Sequence, residues 1–122
     1  MSRFEPLDTA FPVSRQADIE AGPIVLVNLL TMAPEDEEAF LKAWTADSLI
    51  MKRQPGFIST QLHRALGNSP TYLNYAVFDT VAAWHNAFRT PEFQESLKAH
   101  PVSVVARPHL FTKVAVPDLC TA

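Results

Sequence analysis

A histidine, two asparagines and a group of aromatic residues stand out as side chains that could hold or act on a small molecule. In the stretch Thr71 to Asp79, period-two alternation puts Tyr72, Asn74, Ala76 and Phe78 on one face and Leu73, Tyr75 and Val77 on the other. In the preceding stretch His63 alternates with Phe57, Ser59, Gln61 and Ala65, and pairing across Gly67 to Pro70 would set it near Asn74 or Tyr72. A slip of one residue in the register would reverse the face. Such a set can hold a planar ligand by stacking and a few directed hydrogen bonds. The competing reading is that the same groups are polar caps in the core of a dimer.

Asn28 interrupts the apolar run Ile24-Val25-Leu26-Val27-Asn28-Leu29-Leu30. A buried amide there must find partners or cost about 1–3 kcal/mol, which marks it as a ligand-side candidate. Trp84 and His85 are neighbours on a short helix and point about 100° apart, so only one can face a cavity, and the apolar face favours Trp84. His63, His85, His100 and His109 form no i, i+4 pair and no H-E-x-x-H pattern, so no metal site is expected, although a single imidazole can ligate haem iron. No serine sits in a nucleophile elbow, and Cys120 is the single cysteine. Gly22, Gly56 and Gly67 are isolated, which excludes the glycine-rich loops of nucleotide sites.

The elements that would position these residues follow from the apolar pattern. Residues 1–22 read as an N-terminal arm, and Ile24 to Leu30 as a central strand covered on both faces. Pro34 and the acidic run Glu35 to Glu38 start a helix that should reach about Arg53, with Phe40, Leu41, Trp44 and Met51 inward and Lys42, Asp47, Lys52 and Arg53 largely elsewhere on the wheel. Phe57 to Leu66 and Thr71 to Asp79 form a hairpin around Gly67-Asn68-Ser69-Pro70. A helix from Thr80 to Phe88 restarts at Thr90-Pro91, and the last strand is expected at Leu110 to Val116, on an edge. The order is the split βαβ pattern of an α+β, ferredoxin-like β-α-β-β-α-β domain over residues 23–117, with 118–122 as a tail. Helices on one face of such a sheet leave the other to the sheet of a second copy, giving a dimeric α+β barrel.

A chain of 122 residues with 48% hydrophobic and 19% charged content suits one domain. A net charge of -3 with scattered Lys and Arg excludes a nucleic-acid footprint. No apolar h-region and no run of about 20 apolar residues is present, so a cytoplasmic protein that does not enter membranes is expected.

Pro55-Gly56-Phe57, Leu62-His63-Arg64, Asn74-Tyr75-Ala76-Val77-Phe78 and Trp84 together resemble the antibiotic biosynthesis monooxygenase family over roughly Ile24 to Val116. The resemblance implies a homodimer that oxidises an anthrone or related polyketide with molecular oxygen and needs no flavin, haem or metal. It also implies His63 as proton acceptor, Asn74 and Asn28 as hydrogen-bond partners of the substrate, and Tyr72, Phe78 and Trp84 as pocket walls. The sequence departs from the best-understood members at Phe78, where they carry Trp, at Trp84, where they carry a pocket Tyr, and near Gln94, where they carry Arg. The haem-degrading branch of the superfamily has an Asn similar to Asn28, but its Trp and axial His fall near Ala87 and between Phe93 and His100. Haem binding or degradation, and a non-enzymatic dimeric ligand-binding or stress-response module, are the alternatives to the oxygenase.

Overall fold

The computed structural model describes residues 3–122. It is an α+β domain of ferredoxin-like order, with five strands, β1 (Arg3–Phe4), β2 (Ile24–Thr31), β3 (Phe57–Arg64), β4 (Thr71–Phe78) and β5 (Val105–Phe111), in the spatial order β1-β5-β2-β4-β3 and the helices on one face. At the centre, β2 (Ile24–Thr31) is antiparallel to both neighbours. Its largely apolar run reflects that position, because both edges are paired and the helices cover one face.

A 3₁₀ turn, Pro34–Asp36, leads into α2 (Glu37–Lys52), whose acidic first turn and Lys52 in the last match the helix dipole. Phe40, Ala43, Asp47 and Ile50 form its buried side. Between α2 and β3 (Phe57–Arg64), Gly56 adopts a φ of 86° that other residues reach only with strain, and a Cβ there would lie 2.4 Å from the Ala83 methyl. The turn is therefore pressed against the next helix, α3 (Val81–Phe88). The hairpin continues into β4 (Thr71–Phe78).

The second helical segment is divided, as its two start signals require. Thr80 caps α3 (Val81–Phe88) by accepting from Ala83 N at 3.0 Å, and Thr90 caps α4 (Pro91–Leu97) by accepting from Phe93 N at 3.3 Å. One core cluster packs Ile24, Leu26, Ala76 and Phe78 under Val81 and Trp84, and a second packs Leu30, Met32 and Tyr72 under Phe40.

The last strand departs from expectation. It is β5 (Val105–Phe111), not Leu110 to Val116, and it lies between β2 and β1 (Arg3–Phe4) instead of on an edge. Pro108 is tolerated because β1 pairs only with Val105 and Ala106, so the strand beyond them has a single neighbour. There the N-terminal segment stands in for a strand: Gln16, the last residue of α1 (Val13–Gln16), accepts from Leu110 N at 2.9 Å and donates to Leu110 O at 3.0 Å. The amide side chain thus closes an edge that would otherwise expose unpaired backbone.

The opposite face of the sheet carries Val25, Val27 and Leu29 across from Val77, Tyr75 and Leu73. Among the described residues no helix packs there. Among the described residues no helix is long and apolar enough to cross a membrane.

Candidate functional site

A cavity lies between the helix-bearing face of the sheet and the inner sides of α2, α3 and α4, with about 90 Å³ open to the centre of a water molecule. Its floor is made by even-numbered residues of β2 and β4, including Leu26, Asn28, Asn74, Ala76 and Phe78. Trp44 and Met51 of α2, Trp84 and Phe88 of α3, and Phe93 of α4 supply the walls. The aromatic side is a packed series: Trp84 stacks on Phe88 with centroids 5.6 Å apart, and Phe88 meets Phe93 at 5.7 Å. Phe4 of β1 reaches Phe88 edge-on at 6.0 Å. Together with Pro108, Phe4, Trp84 and Phe88 also line an outer groove of about 460 Å³ under the N-terminal segment.

Asn28 and Asn74 are direct cross-strand partners on the floor. The Thr60 hydroxyl donates to Asn74 Oδ1 at 2.6 Å, which holds that amide and leaves its Nδ2 without a bond to the described residues. Asn28 Oδ1 is buried and has no partner among them. The floor therefore offers one donor and one acceptor side by side in apolar surroundings, with the orphaned acceptor costing about 1–3 kcal/mol. Of the residues expected from sequence, Asn28, Asn74, Phe78 and Trp84 are brought together here.

His63 and Tyr72 are not. His63 pairs with Leu73 on the opposite, helix-free face, where it is exposed with its Nδ1 3.3 Å from Leu73 O. The cause is a bulge: Phe57 lies across from Phe78, but Ser59 already lies across from Val77. The extra residue shifts the alternation by one, so Phe57 keeps the cavity face while Ser59, Gln61 and His63 leave it. Tyr72 does point toward the helices, but it sits beneath the start of α2, with its ring 4.9 Å from Phe40 and its hydroxyl donating to Glu37 Oε1 at 2.7 Å. Arg64 Nε donates to the same oxygen at 2.7 Å. The Arg64 guanidinium, and then the Tyr72 hydroxyl, hold the Glu37 carboxyl below its ordinary range, while burial and the bond to Glu37 raise the Tyr72 phenol. This cluster ties β4 to α2 at the end of the second core and does not line the cavity.

Two titratable groups of the cavity wall were not singled out by sequence: Asp47 and His100. Asp47 Oδ2 lies 2.5 Å from His100 Nε2, and Asp47 Oδ1 accepts from the Ser96 hydroxyl at 2.6 Å. Both residues are buried, and His100 Nδ1 has no partner among the described residues. Asp47, expected largely off the inward face of α2, is buried there instead, as its spacing of seven residues after Phe40 and four before Met51 requires. His100 follows α4 in a loop before Pro101, where no periodicity marks it.

The residues present do not fit a haem. The one cavity imidazole has its Nε2 committed to Asp47 and its ring packed 5.7 Å from Phe40, and no Lys or Arg lines the cavity to meet propionates. Among the described residues no group of three or more His, Cys, Asp or Glu is placed to hold a metal ion.

Comparison with known proteins places the domain. The profile of the antibiotic biosynthesis monooxygenase family matches residues 23–99. The crystal structure of SnoaB, a cofactor-independent oxygenase from Streptomyces nogalater, superposes with a TM-score of 0.68 at 26% identity, covering 80% of this chain and 99% of SnoaB. A SnoaB variant with one asparagine replaced by alanine superposes at 0.67 with 25% identity and the same coverage, 80% and 99%. PA3566 from Pseudomonas aeruginosa shares the fold at a TM-score of 0.64 and 19% identity, covering 78% of this chain and 97% of its own. No curated protein is detectably similar in sequence. With more than half of its length matched by the family profile, on a fold shared with solved oxygenase structures, the chain belongs to the antibiotic biosynthesis monooxygenase family.

Proposed function

We propose that this protein is a cofactor-independent monooxygenase that oxidises a planar phenolic, polyketide-like substrate with molecular oxygen, and that it works as a homodimer. The observation that carries the reading is the pair Asn28 and Asn74 on the floor of an apolar, aromatic-walled cavity, with Asn28 Oδ1 unbonded among the described residues. A phenol or its oxyanion supplies the missing partners, accepting from Asn74 Nδ2 or donating to Asn28 Oδ1, while Phe78 and Trp84 face its ring. The described similarity of SnoaB, itself a cofactor-independent oxygenase, supports the same chemistry.

In this reading the substrate is its own reductant. An activated methylene beside the phenolic ring loses a proton to give a delocalised anion, which passes its electrons to dioxygen as a C–O bond forms. The resulting hydroperoxide loses water to leave a ketone, so one methylene and one dioxygen become one carbonyl and one water. An apolar cavity suits the step, because it excludes bulk water from the anion while the two amides fix its oxygens. His63, on the far face of the sheet, does not reach the cavity of its own chain and is not assigned the proton transfer.

The homodimer reading rests on the apolar, helix-free face formed by Val25, Val27, Leu29, Leu73, Tyr75 and Val77. Such a face favours burial against a copy of itself at roughly 25 cal/mol per Å² of apolar area.

Three outcomes are expected. Metal-free protein given dithranol, a dihydroxyanthrone, should consume oxygen above the spontaneous rate and form the dihydroxyanthraquinone, with Asn74→Ala slower by about tenfold or more. Absence of uptake across a panel of such phenols would sink the oxygenase and leave a non-enzymatic binder. Asn28→Leu should raise stability in urea titrations by about 1 kcal/mol, since it removes an orphaned acceptor, and should weaken binding of the dihydroxyanthraquinone. A loss of stability with unchanged binding would show that the amide is structural. In analytical ultracentrifugation the wild type should sediment as a dimer and Val27→Asp as a monomer, and a monomeric wild type at high micromolar concentration would count against self-association.

A further inference from the structure

The oxygenase reading leaves the proton acceptor unassigned, and the cavity wall contains one group built for that task. Asp47 and His100 are the only titratable residues lining it among those described. They come from different elements, α2 and the loop after α4, and are 53 positions apart in sequence. Asp47 accepts from Ser96 through one oxygen and contacts His100 Nε2 through the other. Acceptance at both oxygens is the arrangement of a carboxylate, so the proton of the short contact belongs on Nε2. In the neutral form of an imidazole so oriented the lone pair falls on Nδ1, and that nitrogen is buried without a partner among the described residues.

Buried polar atoms generally find partners; His100 Nδ1 and His109 Nδ1 are the imidazole exceptions among the described residues, and of the two only His100 lines the cavity. Here one nitrogen is fixed by a carboxylate that is itself fixed by a hydroxyl, and the other has no partner among the described residues, in a side chain that belongs to the cavity lining. Orientation of the ring through one nitrogen so that the other can accept a proton is the arrangement by which a carboxylate sets a catalytic histidine's tautomer and stabilises the imidazolium. Phe40, with its ring centroid 5.7 Å from that of His100, restricts reorientation.

We propose that His100 is the general base of this cavity and Asp47 its positioning residue. His100 Nδ1 takes the proton from the acidic O–H or activated C–H of a planar phenolic substrate, the electron pair of the broken bond stays on the substrate, and Asp47 balances the imidazolium. The same proton is returned to the peroxide oxygen once dioxygen has added, so the dyad ends unchanged and dioxygen is the only oxidant. The oxygen step rests on the monooxygenase reading above, and the proton acceptance on the cavity geometry.

The test begins with oxygen uptake on dithranol. His100→Gln keeps an N–H donor for Asp47 but removes the Nδ1 lone pair. Its kcat should fall by about 100-fold or more, while the Kd for the dihydroxyanthraquinone, read from quenching of Trp44 and Trp84, should change by less than about threefold. Asp47→Asn should lower kcat with KM held within about threefold, and Asp47→Glu should recover part of the loss, which a merely structural carboxylate would not produce. Uptake by His100→Gln within about threefold of wild type overturns the assignment. A ¹⁵N NMR measurement on the wild type separates the two readings and needs no variant to fold. In saturating dihydroxyanthraquinone the His100 Nδ1 resonance should move toward the hydrogen-bonded position, and a resonance that stays put overturns the dyad. Absence of oxygen uptake with that shift present overturns the oxygenase reading alone.

Discussion

The phase of strand β2 governs the rest of the molecule. With β4 on one side and β5 on the other, β2 has no free edge, and its register with β4 sends Ile24, Leu26, Asn28 and Leu30 to the helix side together with Phe78, Ala76, Asn74 and Tyr72. A one-residue slip of β2 against β4 would turn Asn28 to the helix-free face and bring Val25 and Val27 under the helices. The two apolar cores pin the phase, since Ile24, Leu26, Ala76 and Phe78 are matched to α3 and Leu30 and Tyr72 to the start of α2. Between the two clusters the sheet carries its amides, and there the helices stand off to leave the cavity.

Polar groups in that cavity are placed against the grain of stability. Asn28 Oδ1 and His100 Nδ1 are both buried without partners among the described residues, and each belongs to a cavity lined by aromatic and aliphatic side chains that could have filled the space. Buried Asp–His pairs are also costly to desolvate, and well-packed apolar replacements are often as stable or more so. Local conflict with the rules of a packed core is expected where a site serves a ligand, with the compensation found elsewhere. Here it comes from the sheet ladders, the two threonine-capped helices, and the Arg64–Glu37–Tyr72 cluster that fastens β4 to α2.

Much of this was readable from sequence because it depends on local chemistry. The apolar run of β2, the Pro34 and acidic start of α2, the Gly67 to Pro70 turn, and the restart at Thr90-Pro91 each have one physical reading, and the fold follows from their order. Where a long-range constraint intervened, the reading failed. The bulge at Phe57 and Ser59 reversed the face of His63, which simple alternation cannot foresee. Tyr72 was placed on the right face but at the wrong depth, because its partners Glu37 and Arg64 are distant in sequence. Pro108 argued against a strand that pairs with β2 throughout and tolerates the proline because β1 is only two residues long. His100 has no local signal, and Asp47 acquires its meaning only when α4 brings His100 and Ser96 to it.

The most direct test is a crystal structure of the protein soaked with dihydroxyanthraquinone at saturating concentration. The ring system is expected in the cavity, against Phe78 and Trp84, with its oxygens in hydrogen-bond reach of Asn28, Asn74 and His100 Nδ1. An empty cavity under those conditions, or a ligand held only on the helix-free face of the sheet, would contradict the assignment of this cavity as the substrate site.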